Sequence, residues 1–231
     1  MARPLLAVVV VTAVLAGCSG GDRPSASSST DRRGDAPADA AALPPELDAF
    51  LRTAAGAERA SFVATYDVLR KLGGVRSTVA VASVPGQARI GVGDLVVLAG
   101  DRPATCLVSA EACVDEVRED RLAPYGVFSR FWSTGPADAL RAVVRRADDG
   151  RPVRSTRTAA GVPLECVAVP VGSSLPATSC ITPEGVFGYV DDPSVRYELT
   201  SYRAGPPAGM VLEVPFPVTD DDAFLLAAPA S

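Results

Sequence analysis

The chain is 231 residues long, 48% hydrophobic and 21% charged, with a formal net charge of -5 and no histidine. The missing imidazole excludes Ser-His-Asp and Cys-His catalysis and any His-based zinc site. An acidic chain whose one lysine is Lys71, with no basic cluster, is a poor match to nucleic-acid phosphates, so no nucleic-acid partner and no cofactor is expected.

The N-terminus carries one early Arg (Arg3) and then an apolar run, Leu5 to Leu15, broken only by Thr12. A short positive end, an apolar stretch and small residues beyond it make a secretory signal, expected over residues 1–17. The run is shorter than the roughly 20 residues of a membrane span. It ends in Leu15-Ala16-Gly17-Cys18, followed by Ser19-Gly20-Gly21. That tetrapeptide resembles a bacterial lipobox. The resemblance implies cleavage before Cys18, a diacylglycerol thioether on its sulfur, often an acyl group such as palmitate on its amine, and residence on the outer face of the cell membrane. Two or three acyl chains anchor stably where one does not. Abundant Ala, Val, Gly, Pro and Arg suggest a GC-rich genome, and the whole resembles a lipoprotein of actinobacterial type.

From Ser19 to Ala42 the chain has no aromatic or large aliphatic residue. Such composition buries too little surface to offset its ordering entropy. Residues 18–42 are therefore expected to be a flexible stalk, with one globular domain over 43–214.

Pro45 to Ala57 places Leu47, Phe50 and Leu51 at helical spacing behind a Pro suited to the first turn. Strand patterns follow: Ser61 to Leu69, Val75 to Val84 beyond the Lys71-Leu72-Gly73-Gly74 turn, Ala88 to Val92, Leu95 to Ala99 and Thr105 to Val108. Glu111 to Leu122 reads as partly helical. Tyr125 to Trp132 gathers Tyr125, Phe128, Phe131 and Trp132 at spacings that suggest an apolar helical face, and Pro136 to Ala147 predicts a helix. Strand patterns resume at Pro152 to Ala159, Val162 to Val171, Ala177 to Thr182, Val186 to Asp191 and Val195 to Ala204, with an edge strand expected at Met210 to Val214. Residues 215–231 are Pro-rich and acidic and are expected to be a loosely held tail. The layout predicts an α+β fold with a mainly antiparallel sheet.

Setting Cys18 aside, four cysteines remain: Cys106, Cys113, Cys166 and Cys180. An even number in an exported domain suggests disulfides. Of the three possible pairings, the sequence-local one, Cys106–Cys113 and Cys166–Cys180, is preferred. A four-Cys metal site or a redox role would call for a CxxC spacing, which is absent.

The element order resembles the half-barrel lipoproteins of the cell envelope, the lipoprotein-carrier fold and the mycobacterial LppX/LprG-like group. The Phe62-Val63-Ala64-Thr65-Tyr66 strand after a short helix carries the likeness, as does the Cys166-to-Cys180 segment followed by Pro183-Glu184-Gly185-Val186. The resemblance implies a curved antiparallel sheet with helices on its concave face and a cavity for acyl chains between them. Candidate lining residues are Phe62, Tyr66, Phe128, Phe131 and Trp132; the alternative, favoured because aromatic residues at regular spacing usually pack, is that they simply fill the core. Three functions are weighed: a carrier for a lipid or other apolar ligand, an envelope module with a filled core that binds a protein partner, and a carboxylate enzyme. For the last, Asp148-Asp149, Asp191-Asp192 and Asp220-Asp221-Asp222 are the acidic clusters. Adjacent Asp residues beside Pro or Gly favour solvated turns over an acid–base pair held across a cleft. None matches a calcium-loop spacing. A non-catalytic module is expected.

Overall fold

A computed structural model of the chain describes residues 43–145, 151–171, 174–207 and 212–227. The described residues fall within one compact unit, Ala41–Ser231. The signal segment, Cys18, the whole of the expected stalk and Asp148-Asp149 lie outside the described residues.

The domain opens with helix α1, Pro45–Ala54, whose Leu47, Phe50, Leu51 and Ala54 are buried at i, i+3, i+4 and i+7. Glu46 and Asp48 lie in its first turn and Arg52 in its last, the arrangement the helix dipole favours. Eleven strands follow: β1 Phe62–Arg70, β2 Val75–Val84, β3 Gln87–Val92, β4 Leu95–Gly100, β5 Ala104–Leu107, β6 Ala112–Val114, β7 Val153–Ala159, β8 Val162–Val171, β9 Ser174–Ile181, β10 Phe187–Asp191 and β11 Val195–Ala204. Between β6 and β7 lie α2, Glu119–Leu122, and α3, Thr134–Val144.

All strands belong to one sheet in the order β6-β5-β4-β3-β2-β1-β11-β10-β9-β8-β7. Two antiparallel meanders, β1 to β6 and β7 to β11, are thus stitched together where β1 pairs with β11. Register shifts at Thr65/Tyr66, Phe187/Tyr189 and Val169/Val171 bend the strands. The result is an α+β half-barrel, a curved antiparallel sheet with helices on its concave face. Phe50 of α1 meets Phe187 of β10 edge-on at 6.2 Å between ring centroids. Gly185, at φ +86°, lets the β9–β10 turn press against the end of α1; a Cβ there would lie 2.1 Å from the Thr53 carbonyl oxygen.

Both disulfides form, Cys106–Cys113 and Cys166–Cys180. Each joins residues directly opposed on neighbouring strands, β5 with β6 and β8 with β9.

Three expectations are corrected. Tyr125–Trp132 is not a helix: a 3-10 turn, Ala123–Tyr125, ends at Gly126 in the left-handed region, and tight turns follow. There Phe131 N–H donates to the Phe128 carbonyl and Ser133 N–H to the Arg130 carbonyl, i to i+3. Glu111–Leu122 is partly helical as expected, at α2, and contributes the short strand β6 as well. The C-terminal segment is held by the domain rather than trailing from it. Cys113 N–H donates to the Pro217 carbonyl at 3.0 Å, and Thr219 N–H donates to the Cys113 carbonyl at 2.8 Å. Val214 and Phe216 pack on Val96, Leu98, Ala104 and the Cys106–Cys113 pair, and Leu225 of α4, Ala223–Ala227, is fully buried. An edge strand as short as β6 leaves backbone groups and apolar side chains that need covering, and this segment covers them. Of the expected edge strand Met210–Val214, residues 212–214 are not extended in pairing, and the first two lie outside the described residues.

Candidate functional site

The strand registers place Val167, Ser179, Val190, Tyr197, Val68 and Ser77 in one row across β8, β9, β10, β11, β1 and β2. Directly opposed residues share a face, so this row forms a floor. The roof is the 3-10 turn, the Gly126–Phe128 segment and α3. Two hydrogen bonds hold roof to floor: Ser77 Oγ donates to the Tyr125 carbonyl and Tyr197 OH to the Gly126 carbonyl, each at 3.0 Å. Gly126 must be glycine-like here, since its φ is +77° and a Cβ would lie 3.1 Å from Arg70 Cβ.

Roof and floor do not close completely. Between them is a cavity of about 530 Å³. Pro136, Leu140 and Val143 of α3, with Val127 and Phe128, line one side, and Ala177, Val190, Val195 and Tyr197 line the other. Its polar lining groups include Arg70, Glu119 and Asp192. The volume falls within the range of small-molecule sites, about 300–1,000 Å³, and the lining is mainly apolar with a few charged groups, as such sites are. Clefts of about 800 and 690 Å³ also exist: Gln87, Asp101, Arg102 and Glu213 make the first mainly polar, while the second sets Pro163, Leu164, Ile181 and Pro183 beside Arg154, Ser155, Thr156 and Glu165 and is the more open to solvent.

Of the five aromatic candidates for a ligand site, Phe128 lines this cavity, about one-third exposed. Phe62, Tyr66, Phe131 and Trp132 fill the core instead, each at 5% exposure or less. Their rings pack on one another: Phe62 with Trp132 at 5.3 Å, Tyr66 with Phe131 at 5.1 Å, and Phe131 with Tyr197 at 5.2 Å. Edge-to-face contact of this kind consumes the surface a ligand would use. Trp132 also edges a separate cavity of about 390 Å³ beside β2 to β4. The residues that sequence reasoning missed are Arg70 and the aliphatic lining of α3.

Burial raises the Tyr66 and Tyr197 hydroxyls above the ordinary phenol value, so both are neutral donors throughout the physiological range. Tyr66 OH has no hydrogen-bond partner among the described residues.

The acidic clusters are engaged structurally. Burial works against the Asp191 carboxylate, but hydrogen bonds from Lys71 and Tyr189 and the charges of Lys71 and Arg196 outweigh it and hold Asp191 below the usual carboxylate range. Lys71 Nζ stands 2.5 Å from it. Asp192 Oδ1 accepts from the Ser194 N–H and Oγ and the Val195 N–H, fixing the β10–β11 turn. Asp221 accepts from the Ala223 N–H at the start of α4, and Asp222 pairs with Arg118 at 2.7 Å. Among the described residues there is no group of three or more His, Cys, Asp or Glu that could hold a metal ion. No helix among them is long and apolar enough to cross a membrane.

No protein-family model matches the chain. No curated protein matches it either. Among solved structures, the complex of Pseudomonas aeruginosa MucA and MucB is similar at 19% identity, over 73% of this chain and 61% of that chain, with a TM-score of 0.46. MucB in complex with MucA(peri) is similar at 17% identity, over 73% of this chain and 59% of that one, with a TM-score of 0.44. The chain thus spans about three-fifths of the length of the solved chains it matches.

Proposed function

We propose that the protein is an exported, lipid-anchored, non-catalytic module that binds a lipid or other apolar ligand beneath α3. The observation that carries the binding reading is the mainly apolar cavity of about 530 Å³ between α3 and strands β9 to β11. Two cross-strand disulfides accord with an extracytoplasmic setting. The Leu15-Ala16-Gly17-Cys18 motif supports anchoring through Cys18 to the outer face of a cell membrane.

Two measurements test this. For the anchor, the mature N-terminal peptide is weighed with and without Cys18→Ser; an unmodified sulfur in the parent chain refutes anchoring. For the ligand, the Cys18→Ser chain made in a lipid-rich host is sprayed under native conditions. A copurifying apolar mass is expected, and Ala139→Trp, an exposed position on the cavity wall, is expected to remove it. No such mass, together with no uptake of added lipid, refutes the cavity reading.

A second reading, an envelope module that binds a protein partner, draws on β7. Among the described residues it pairs with β8 alone in the sheet, which leaves its outer backbone edge for strand addition by an extended peptide. Crosslinking from Val153, an exposed edge residue, tests it.

A further inference from the structure

Three charged side chains line the proposed ligand site, Arg70, Glu119 and Asp192, and they differ in how their polar atoms are satisfied. Arg70 ends β1 on the same face as Tyr66 and Val68, so its side chain lies on the cavity side of the sheet. Its Cβ packs against Gly126. Its Nε is buried with no hydrogen-bond partner among the described residues. None of the ion pairs among those residues includes it. The two carboxylates of the lining differ. Glu119 accepts from the Ser129 N–H and Oγ, and Asp192 Oδ1 accepts from three donors of its own turn. A guanidinium with an unmatched, desolvated donor, in the wall of a mainly apolar cavity, is complementary to an anionic acceptor whose remainder is apolar.

We infer that the ligand is a single-chain amphiphile with an acidic head. The carboxylate or phosphate oxygens accept hydrogen bonds from Arg70, and the chain lies between α3 and the floor formed by β9 to β11. This rests on the cavity reading above and adds the class of head group. A volume of about 530 Å³ suits one chain.

The test is calorimetric titration of the full chain carrying Cys18→Ser, below micelle-forming concentrations, with four probes of equal chain length: dodecanoate, dodecyl phosphate, dodecanol and dodecylammonium. One or both acids are expected to bind more tightly than the alcohol and the ammonium. Arg70→Gln is expected to weaken the bound acid about tenfold, as loss of one charge-assisted hydrogen bond should, and to leave dodecanol unchanged. Arg70→Lys is expected to restore part of the loss. Whichever acid binds names the head, carboxylate or phosphate. Binding of acids and alcohol alike with no effect of Arg70→Gln overturns the inference and leaves the cavity reading standing. Preference for dodecylammonium also overturns it, assigning head-group recognition to Glu119 and Asp192. Binding of none of the four overturns both. Trp132 fluorescence, from the chain's one tryptophan, checks that each variant is folded.

Discussion

Replacing Tyr66 by Phe should stabilise the domain. The residue is fully buried, and its hydroxyl has no partner among the described residues. An unpaired buried hydroxyl costs about 1–3 kcal/mol of desolvation. Removing it leaves a void of one oxygen, whose cost is on the order of 0.3 kcal/mol. The edge-on contact with Phe131 at 5.1 Å is retained by the Phe ring. The net expectation is a gain of about 1 kcal/mol, or roughly 2–4 °C in Tm for a domain of this size. Tyr197→Phe is the control, because its hydroxyl donates to the Gly126 carbonyl. There the change removes a made bond and leaves an acceptor unpaired, so a loss of about 1 kcal/mol is expected. Equilibrium urea unfolding, followed by Trp132 emission, separates the two if the m-values stay constant. A loss of 1 kcal/mol or more in Tyr66→Phe would refute the reasoning, since it would mean that the hydroxyl is satisfied.

Removing the Cys166–Cys180 disulfide by paired Ser substitution, across a separation of 14 residues, should cost about 3 kcal/mol, measured under non-reducing conditions against the parent. Gly185→Ala should cost at least about 2 kcal/mol by the same urea assay, because the new Cβ would sit 2.1 Å from the Thr53 carbonyl oxygen in a left-handed backbone. Asp191 titrates below its unfolded value of about 3.9, so its contribution is fully present above that pH and is lost as pH falls through the depressed folded value. Asp191→Asn should therefore flatten the acid side of the stability profile below about pH 4; an unchanged slope would remove Asp191 from the account.

Strand positions were readable because alternation and glycine punctuation are local signals. Val75–Val84, Val162–Val171 and Val195–Ala204 are strands over those same residues. The disulfide pairing was readable for the same reason, since each pair spans one local hairpin. Position in the third dimension was less so. Phe131 and Trp132 carry helical spacing, yet the i to i+3 turns they occupy aim them into the core. Val214 and Phe216 looked isolated in a Pro-rich stretch because the surface they cover, Val96, Leu98 and Cys106, is more than a hundred residues earlier, and Leu225 likewise joins a main core built from distant strands. The cavity depends on how far α3 stands off the sheet, which no single segment encodes. One clue to Arg70 was present: continuing the alternation of Tyr66 and Val68 by one step puts a cation on the inward face.

The adjacency of β1 and β11 has a consequence for biogenesis. Phe62 is matched with Ala204, so the first strand made waits for the last before its free side is filled. Until then the early half of the sheet carries a long, unsatisfied border along β1, an aggregation hazard before the chain is complete. Such distant closure also slows folding, because the chain must find a remote segment before the gain is realised. Folding is therefore gated by emergence of the C-terminal end, and truncations that remove β11, Val195–Ala204, should leave an insoluble product.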